Sequence, residues 1–292
     1  MNKKILVTGA GGNTGIELIK KLCQKGLRPA AGTTDTGAAA KKLSDICPGI
    51  EMRQVIFDGR PRNITFNGID RIFLIRPPQI SNVKKYMFPF IDAALKSGIR
   101  QIVFLSLQGA QNNPITPHRK IELYMIRKNA PYTFLRPSFF MQNLSTTHRD
   151  EIKYNNEIFI PAGNGRTSFI DVKDIAETAA KILTENSHIH KAYELTGRDS
   201  ITYHEAARIL SKYLGRTVTY SGPGLLKFIF RKIRRGYSIP FTLVMSALYT
   251  LCRLGKAGKK TNTFKNLTGR DPGSFENFVI RNLDVWEPRK IK

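Results

Sequence analysis

The stretch ILVTGAGGNTGIELI, residues 5–19, decides the fold class. An apolar run leads into three glycines spaced GxxGxxG, and an amphipathic segment follows them. Glycines at this spacing let the backbone turn tightly between a strand and a helix, and let the first helical N–H groups approach a pyrophosphate. The stretch therefore predicts a dinucleotide-binding turn. Its predicted cofactor contacts are Thr8, Gly9, Gly12, Asn13, Thr14 and Gly15.

The first half of the chain alternates short apolar runs with amphipathic stretches, a pattern typical of βαβ units in a parallel sheet. Strands are predicted over residues 3–8, 28–33, 50–57, 70–75, 101–106 and 132–136, with helices near 13–25, 38–46, 82–97 and 117–129. Farther on, TSFIDV (167–172) and KAYELTG (191–197) resemble strands, and helices are predicted from about Asp174 and over 202–215, 224–235, 239–254 and 274–286.

This order predicts an α/β protein with a Rossmann-like, doubly wound parallel sheet and a smaller, mainly helical C-terminal lid. Residues 1–150 are expected to form the NAD(P)-binding domain, to which segments at about 168–200 return. Residues 151–292 are expected to form the smaller substrate or lid region, which is strongly basic from about residue 212.

The end of the second strand bears on the choice between NAD and NADP. Asp35 lies twenty positions after Gly15, where a carboxylate can bind the hydroxyls of the adenosine ribose. An Arg there would accommodate a 2′-phosphate, but this segment offers Thr33 and Thr34 instead. Lys41, Lys42 or Arg60 could take that role if the loop folds back, so both cofactors stay open.

Several motifs together resemble the NmrA-like family of atypical short-chain dehydrogenase/reductases. They include TGAGGNTG, GTTD, IFLIRPP, PHRKIELYMIRKNAPYTFLRPSFFMQNL and LTGRDPGSFENFV. The resemblance implies further cofactor contacts at Phe57, Ile75, Arg76, His118, Pro137 and Phe139, and a substrate side that includes Phe140 and Asn143. The chain departs from the family at Thr34, where relatives often carry Arg, and at Ile56, where many carry an acid.

The catalytic group is the least determined feature. Ordinary short-chain dehydrogenases use Tyr-x-x-x-Lys for proton transfer. The family's spacing from Glu122 places His118 at the Lys position and Pro114 at the Tyr position. His118 is therefore expected to contact the ribose, or else to be a helix-start residue without a ligand.

The candidates for a catalytic role are Ser106, His118 and Tyr124. Glu122 is expected to be solvated or paired with Arg119 or Lys120. Without the tyrosine, substrates that need little acid assistance are favoured. The sequence thus predicts an NAD(P)H-dependent reductase of a small quinone, azo compound or iminium ion. The alternative is a non-catalytic protein that senses dinucleotides.

The net charge of +25 requires an explanation of its own, and residues 212–292 supply about half of the excess. Such a surface attracts anions. In GLLKFIFRKIRRG (224–236), apolar residues cluster near one helical face and cations lie roughly opposite, which predicts a lid helix with a charged outer face. Alternative partners are an anionic membrane surface or an acidic protein, and a homo-oligomer is a further possibility. Nucleic acid is not expected, because no recognised binding motif accompanies the charge.

Cysteine and histidine usage predicts neither a disulfide framework nor a metal site. Cys23, Cys47 and Cys252 are widely spaced and include no CxxC pair. His188 and His190 lack a nearby third ligand. The N-terminus shows no apolar signal core, so a reducing, cytoplasmic location is expected.

Overall fold

A computed structural model describes residues 4–60 and 65–287 of the chain, so Lys3 of the first predicted strand lies outside the described residues. Seven parallel strands form the main sheet in the order β3-β2-β1-β4-β5-β6-β8. They are β1 (Lys4–Thr8), β2 (Ala30–Thr33), β3 (Glu51–Gln54), β4 (Ile69–Ile75), β5 (Gln101–Leu105), β6 (Tyr132–Pro137) and β8 (Lys191–Leu195). The predicted α/β class with a Rossmann-like parallel sheet is confirmed, and a helical C-terminal region accompanies it.

The helices follow the strands in the expected alternation. The described ones are α1 (Asn13–Gln24), α2 (Thr36–Leu43), α3 (Val83–Tyr86), α4 (Phe88–Lys96), α5 (Pro117–Arg127), α6 (Gln142–Ser145), α7 (Arg149–Asn155), α8 (Val172–Thr184), α9 (Tyr203–Leu214), α10 (Leu225–Arg234), α11 (Ile239–Arg253), α12 (Thr263–Thr268), α13 (Phe275–Arg281) and α14 (Leu283–Trp286). The single helix predicted over 82–97 is interrupted at Met87, before Pro89 in the first turn of α4, where a proline is well tolerated.

The first compact unit consists of the described residues of Met1–Pro137 together with Val172–Leu195. One face of its sheet carries an apolar cluster that includes Leu6, Ile72, Phe104 and Phe134 from the strands, with Ile121 of α5. α1 and α8 pack against each other within the same unit. The sheet is thereby covered by helices, as a parallel sheet requires.

The second unit consists of Ser138–Asp171 and Thr196–Lys292 in its described part. Its core gathers large aromatic side chains, among them Tyr203, Phe228, Tyr249 and Trp286. A short parallel pair, β7 (Glu157–Ile158) and β9 (Thr219–Tyr220), is its only named sheet among the described residues.

The strand predicted over residues 167–172 is wrong. Thr167 pairs with Ile201 and Ile170 pairs with Phe140, but each is an isolated bridge. The apolar residues Phe169 and Ile170 are buried, yet the segment has no continuous partner strand. The helix expected from Asp174 begins two residues earlier, at Val172.

The buried face of α10 also differs from the prediction. Phe228 and Lys232 face the core, whereas Leu226, Phe230 and Ile233 are exposed. Lys232 is buried because it pairs with Glu151, whose carboxylate lies 2.7 Å from its ammonium group. The outer face of this helix is therefore largely apolar and not simply charged.

The cysteine prediction is wrong as well, because Cys23 and Cys47 form a disulfide and Cys252 is free and buried. The two bonded residues are 24 positions apart, at the end of α1 and just after α2. The fold brings their Cα atoms to 6.0 Å, a normal separation for a disulfide.

Within residues 4–60 and 65–287, no helix is long and apolar enough to cross a bilayer, and no cluster of three metal-ligating side chains occurs. His188 is buried and hydrogen-bonded to Tyr193 and Glu185.

Candidate dinucleotide site

The glycine turn joins β1 to α1 and has room only for glycine at two positions. Gly9 adopts a left-handed backbone with φ +63°, which favours glycine. A Cβ on Gly15 would lie 2.3 Å from the carbonyl oxygen of Gly9, which no relaxed structure allows. Gly12 precedes α1 without a side-chain cap, and no acidic residue lies in the first helical turn. The helix N-terminus therefore presents N–H groups and positive potential where an anion can bind.

Thr8, the last residue of β1, links this strand to its neighbour β4. Its hydroxyl donates to the carbonyl of Phe73 (3.1 Å) and accepts from the N–H of Ile75 (2.8 Å). The side chain of Ile75 lies beside Gly9, where an added Cβ would be 3.3 Å from its Cδ1 atom. The Thr8 side chain is thus fully engaged between strands, which leaves its backbone for any cofactor contact.

After the end of β2, Asp35 caps the N-terminus of α2, and its carboxylate accepts from the N–H of Ala38 at 2.9 Å. The hydroxyl of Thr33 donates to the carbonyl of Asp35, and Thr34 is exposed. The ammonium group of Lys42, in the last turn of α2, lies 3.3 Å from the carbonyl oxygen of Gly11. A lysine therefore reaches the glycine turn, and its suggested contact with a 2′-phosphate stays a prediction.

Arg76 and His118 meet after the end of β4. The guanidinium of Arg76 donates to Nε2 of His118 at 3.5 Å and to the carbonyls of Pro77, Pro78 and Ile80. His118 is the second residue of α5 and is partly buried. Burial and the nearby Arg76 charge lower the pKa of His118 to about 3, so the ring is neutral near pH 7. Burial also lowers the pKa of Arg76, to about 10, which leaves it charged.

A buried carboxylate ties the ends of β5 and β6 to α5. Glu122 accepts from the Ser106 hydroxyl (2.7 Å), from Arg119 (3.0 Å) and from both Arg136 donors (2.8 and 2.9 Å). The expected pairing with Arg119 is present, but the expectation of a solvated Glu122 is wrong, because its side chain is fully buried. The role of Arg136 gave no local sequence signal, since it lies 14 residues from Glu122.

Tyr124 and Phe57 pack on α4. The Tyr124 hydroxyl donates to Asp92 at 2.6 Å, and its ring stacks on Phe88. Burial and Asp92 raise the pKa of Tyr124 above its ordinary value. Phe57 contacts the ring of Phe90 at 5.1 Å between centroids. These contacts give Tyr124 a partner other than a substrate.

The remaining predicted cofactor and substrate contacts lie partly in the first unit and partly in the second. Pro137 ends β6, and its carbonyl accepts from the N–H of Gln108. In the second unit, the ring of Phe139 lies 6.1 Å from that of Tyr249, between centroids. Phe140 bridges to Ile170, and the N–H of Asn143 donates to the carbonyl of Phe140.

The second unit also holds a buried polar cluster that the sequence did not reveal. The His148 ring bonds to Glu151 (3.2 Å) and Tyr249 (2.7 Å), while Lys232 and Arg235 reach the same Glu151 carboxylate at 2.7 and 3.0 Å. Burial raises the pKa of Glu151, but the His148 hydrogen bond and the nearby cations outweigh it and lower the value to about 2. Burial lowers the pKa of His148, against the opposing effect of the Glu151 carboxylate.

Comparison with known proteins agrees with this geometry. The model of the NmrA-like family matches residues 1–267. The chain belongs to the NmrA-like family. Its dinucleotide-binding Rossmann fold and its kinship with atypical short-chain dehydrogenase/reductases, both implied by the motifs, are thus confirmed.

Relatives in this family include reductases that cover nearly the whole chain. The NAD(P)H azoreductase of Xenophilus azovorans is 27% identical, over 94% of this chain and 96% of its own. The uncharacterized oxidoreductase YesF of Bacillus subtilis is 27% identical, over 97% of this chain and 96% of its own. The structure of the triphenylmethane reductase of a Citrobacter species superposes with a TM-score of 0.82 at 25% identity, over 96% of this chain and 99% of that one. Structural relatives bind NADP(H) or NAD.

Proposed function

We propose that this NmrA-like protein is an NAD(P)H-dependent reductase of a small electron-poor organic molecule such as a quinone, an azo compound or an iminium ion. The observation that carries the proposal is the uncapped N-terminus of α1 behind a turn that excludes any side chain at Gly15. Family membership and the azoreductase among its relatives support the reductase class.

The residues of the first unit fit a dinucleotide. The N–H groups at the start of α1 would hold the pyrophosphate, and Asn13 and Thr14 lie at that position. Thr33, Thr34 and Asp35, at the end of β2, would hold the adenosine ribose. Ile75, Arg76 and His118, at the end of β4 and the start of α5, would line the nicotinamide end. When bound, NAD(P)H supplies the hydride.

The protonation states of the three candidate catalytic groups support this substrate class. His118 is neutral near pH 7, and its Nε2 atom accepts from Arg76. The Ser106 hydroxyl donates to Glu122, and the Tyr124 hydroxyl donates to Asp92. None of the three offers an acidic proton near neutral pH, so a substrate that is already electron-poor is favoured over a simple ketone.

Calorimetric titration with NADH and NADPH in parallel tests the cofactor site. Asn13→Asp adds a negative charge at the start of α1 without changing side-chain volume. It should weaken binding by about tenfold or more through repulsion of the pyrophosphate. The control, Gln24→Glu, places the same charge at the other end of α1 and should leave affinity within about twofold. The parallel titration also decides between NADH and NADPH.

Turnover is then tested with the preferred cofactor against quinones, azo dyes and triphenylmethane dyes. Oxidation of the cofactor by at least one class supports the reductase. Failure to bind either dinucleotide contradicts the proposal altogether. Binding without turnover on a broad panel favours the alternative, a non-catalytic dinucleotide sensor, which the Pro114 at the expected tyrosine position also favours.

A further inference from the structure

Helices α10 and α11 of the second unit expose an unusual amount of apolar side chain. Leu226 is 83% exposed, Phe230 68% and Leu254 63%, values typical of charged residues. The α10–α11 apolar surface is defined by Leu226, Phe230, Ile233, Ile239, Leu243, Val244, Leu251 and Leu254.

The spacing shows that each helix has a continuous apolar outer stripe. On α10 the exposed residues fall at positions 226, 230 and 233, which lie on one helical face. On α11 they fall at 239, 243, 247 and 251, and Leu254 directly after the helix continues the same line. The opposite face of α11 is the one that packs on the core, through Met245, Tyr249 and Cys252. The outer stripe is therefore not needed for folding of this unit.

Every charged side chain on the two helices is a cation, and the carboxylates that pair with α10 come from other segments, Glu151 with Lys232 and Glu157 with Arg231. Residues 206–270 contain no Asp or Glu at all. The exposed cations near or on the two helices are Lys227, Arg234, Arg235, Arg253 and Lys256. Two copies of so basic a surface would repel each other, so charge complementarity disfavours a second copy of the chain and favours an anionic partner.

We propose that the α10–α11 apolar surface lies in the headgroup region of an anionic lipid bilayer, with Leu226, Phe230 and Leu243 below the phosphates and the flanking lysines and arginines contacting them. An apolar helical stripe bordered by cations is the pattern of an interfacial helix. Long cationic side chains keep their charge at the phosphates while their methylene groups follow the apolar boundary. The phosphates of a nucleic acid could pair with the cations, but the leucine side chains would remain exposed to water.

Sedimentation with extruded vesicles tests this proposal and needs neither cofactor nor acceptor, so it is independent of the proposed reductase activity. Vesicles of phosphatidylcholine with an equal share of phosphatidylglycerol should pellet the protein at about 0.15 M salt. Pure phosphatidylcholine should bind it at least tenfold more weakly.

Two matched variants separate the apolar contribution from a general change in hydrophobicity. Leu243→Asn with Leu251→Asn should reduce vesicle affinity by tenfold or more. Ile115→Asn with Ile126→Asn removes comparably exposed apolar groups from the first unit and should leave affinity within twofold. All four side chains are exposed, so both variants should fold, and circular dichroism verifies that they do.

A second pair of variants tests the charge. Lys227→Gln with Arg234→Gln should weaken binding to the mixed vesicles several-fold, whereas Lys20→Gln with Lys25→Gln, exposed on and just after α1, should not. Equal losses in both pairs would overturn the proposal, and so would failure to pellet with anionic vesicles. A dimer in light scattering that the Leu243/Leu251 variant dissociates, without vesicle binding, would assign the surface to a second copy instead.

Discussion

Gly15 is the position at which the dinucleotide turn tolerates the least change. A methyl group there would meet the backbone of Gly9 and Ala10 at 2.3–2.9 Å, and backbone cannot move aside cheaply. We expect Gly15→Ala to lower the free energy of unfolding by roughly 2 kcal/mol or more, measured by urea denaturation.

The matched control lies in the same turn. A Cβ on Gly11 would lie 3.6 Å from that of Ala39, an ordinary contact. Gly11→Ala should therefore change the free energy of unfolding by less than about 1 kcal/mol, in either direction. Equal effects of the two substitutions would show that crowding is not the reason for glycine at position 15.

His118 should make stability depend on pH in a defined window. Its pKa is about 3 in the folded protein, against an ordinary 6.5, because of burial and the Arg76 charge. As the pH falls from 6.5 towards 3, the unfolded chain takes up a proton on this residue and the folded chain does not. The free energy of unfolding therefore falls, by up to about 1.4 kcal/mol per pH unit.

His118→Gln should remove that contribution. Urea denaturation of both proteins at several pH values between 6.5 and 4 measures it, and the wild-type curve should be the steeper one. Parallel curves for the wild type and the variant over this range would contradict the assigned pKa.

Some residue-level contacts could be predicted and others could not. The GxxGxxG spacing predicts the turn because the backbone alone sets its steric demands. The burial of Glu122 could not be predicted, because its partner Ser106 directly follows β5 and its partner Arg136 lies in β6, and only the sheet brings the two together. The same holds for the Cys23–Cys47 bond, which depends on how α1 and α2 pack beside β2.

At the scale of elements, α10 illustrates why amphipathic patterns leave a face undetermined. The helical periodicity separates Leu226 and Phe230 from Phe228 and Lys232, but it does not say which pair faces the core. Lys232 faces the core because its ammonium group pairs with the carboxylate of Glu151 in α7, which lies 81 residues away in the sequence. A contact between residues so far apart in the sequence cannot be predicted from a stretch of neighbouring residues. Strands β1, β2, β4 and β5 of the first unit, by contrast, were predictable, since their buried runs are continuous.

The contact between α7 and α10 should be sensitive to the Glu151 charge. Glu151→Gln leaves the fully buried Lys232 ammonium group without a counter-charge. We expect the free energy of unfolding to fall by about 3 kcal/mol or more, as in other buried ion pairs that lose one partner. Chemical denaturation at pH 7 measures the change.

Asp150→Asn removes the neighbouring carboxylate as a control. Asp150 is exposed and pairs with Arg149, which is also exposed, so its loss should cost less than about 1 kcal/mol. A loss of stability for Glu151→Gln no larger than that of the control would mean that the α7–α10 ion pair contributes little.

At the scale of the whole molecule, the net charge of +25 sets the response to salt. Like charges repel more in the compact state than in the unfolded chain, and salt screens this repulsion. We expect the melting temperature to rise by a few degrees as potassium chloride increases from about 20 to about 200 mM.

Substitutions within residues 206–270, which contain no Asp or Glu, should reduce this rise of the melting temperature with salt. Lys227→Glu with Lys256→Glu lowers the positive excess at two exposed positions, and its melting temperature should rise less with salt. A melting temperature of the wild type that falls with salt would indicate that its ion pairs outweigh the repulsion.

The position of β8 in the sheet has a consequence for how the protein is made. β8 pairs with β6, yet Lys191 follows Pro137 only after the α6–α8 segments. A ribosome delivers the chain from its N-terminus, so β6 remains an open strand edge while residues 138–190 are being translated. We expect the nascent chain to recruit chaperones during this interval, and to release them once Leu195 has left the exit tunnel.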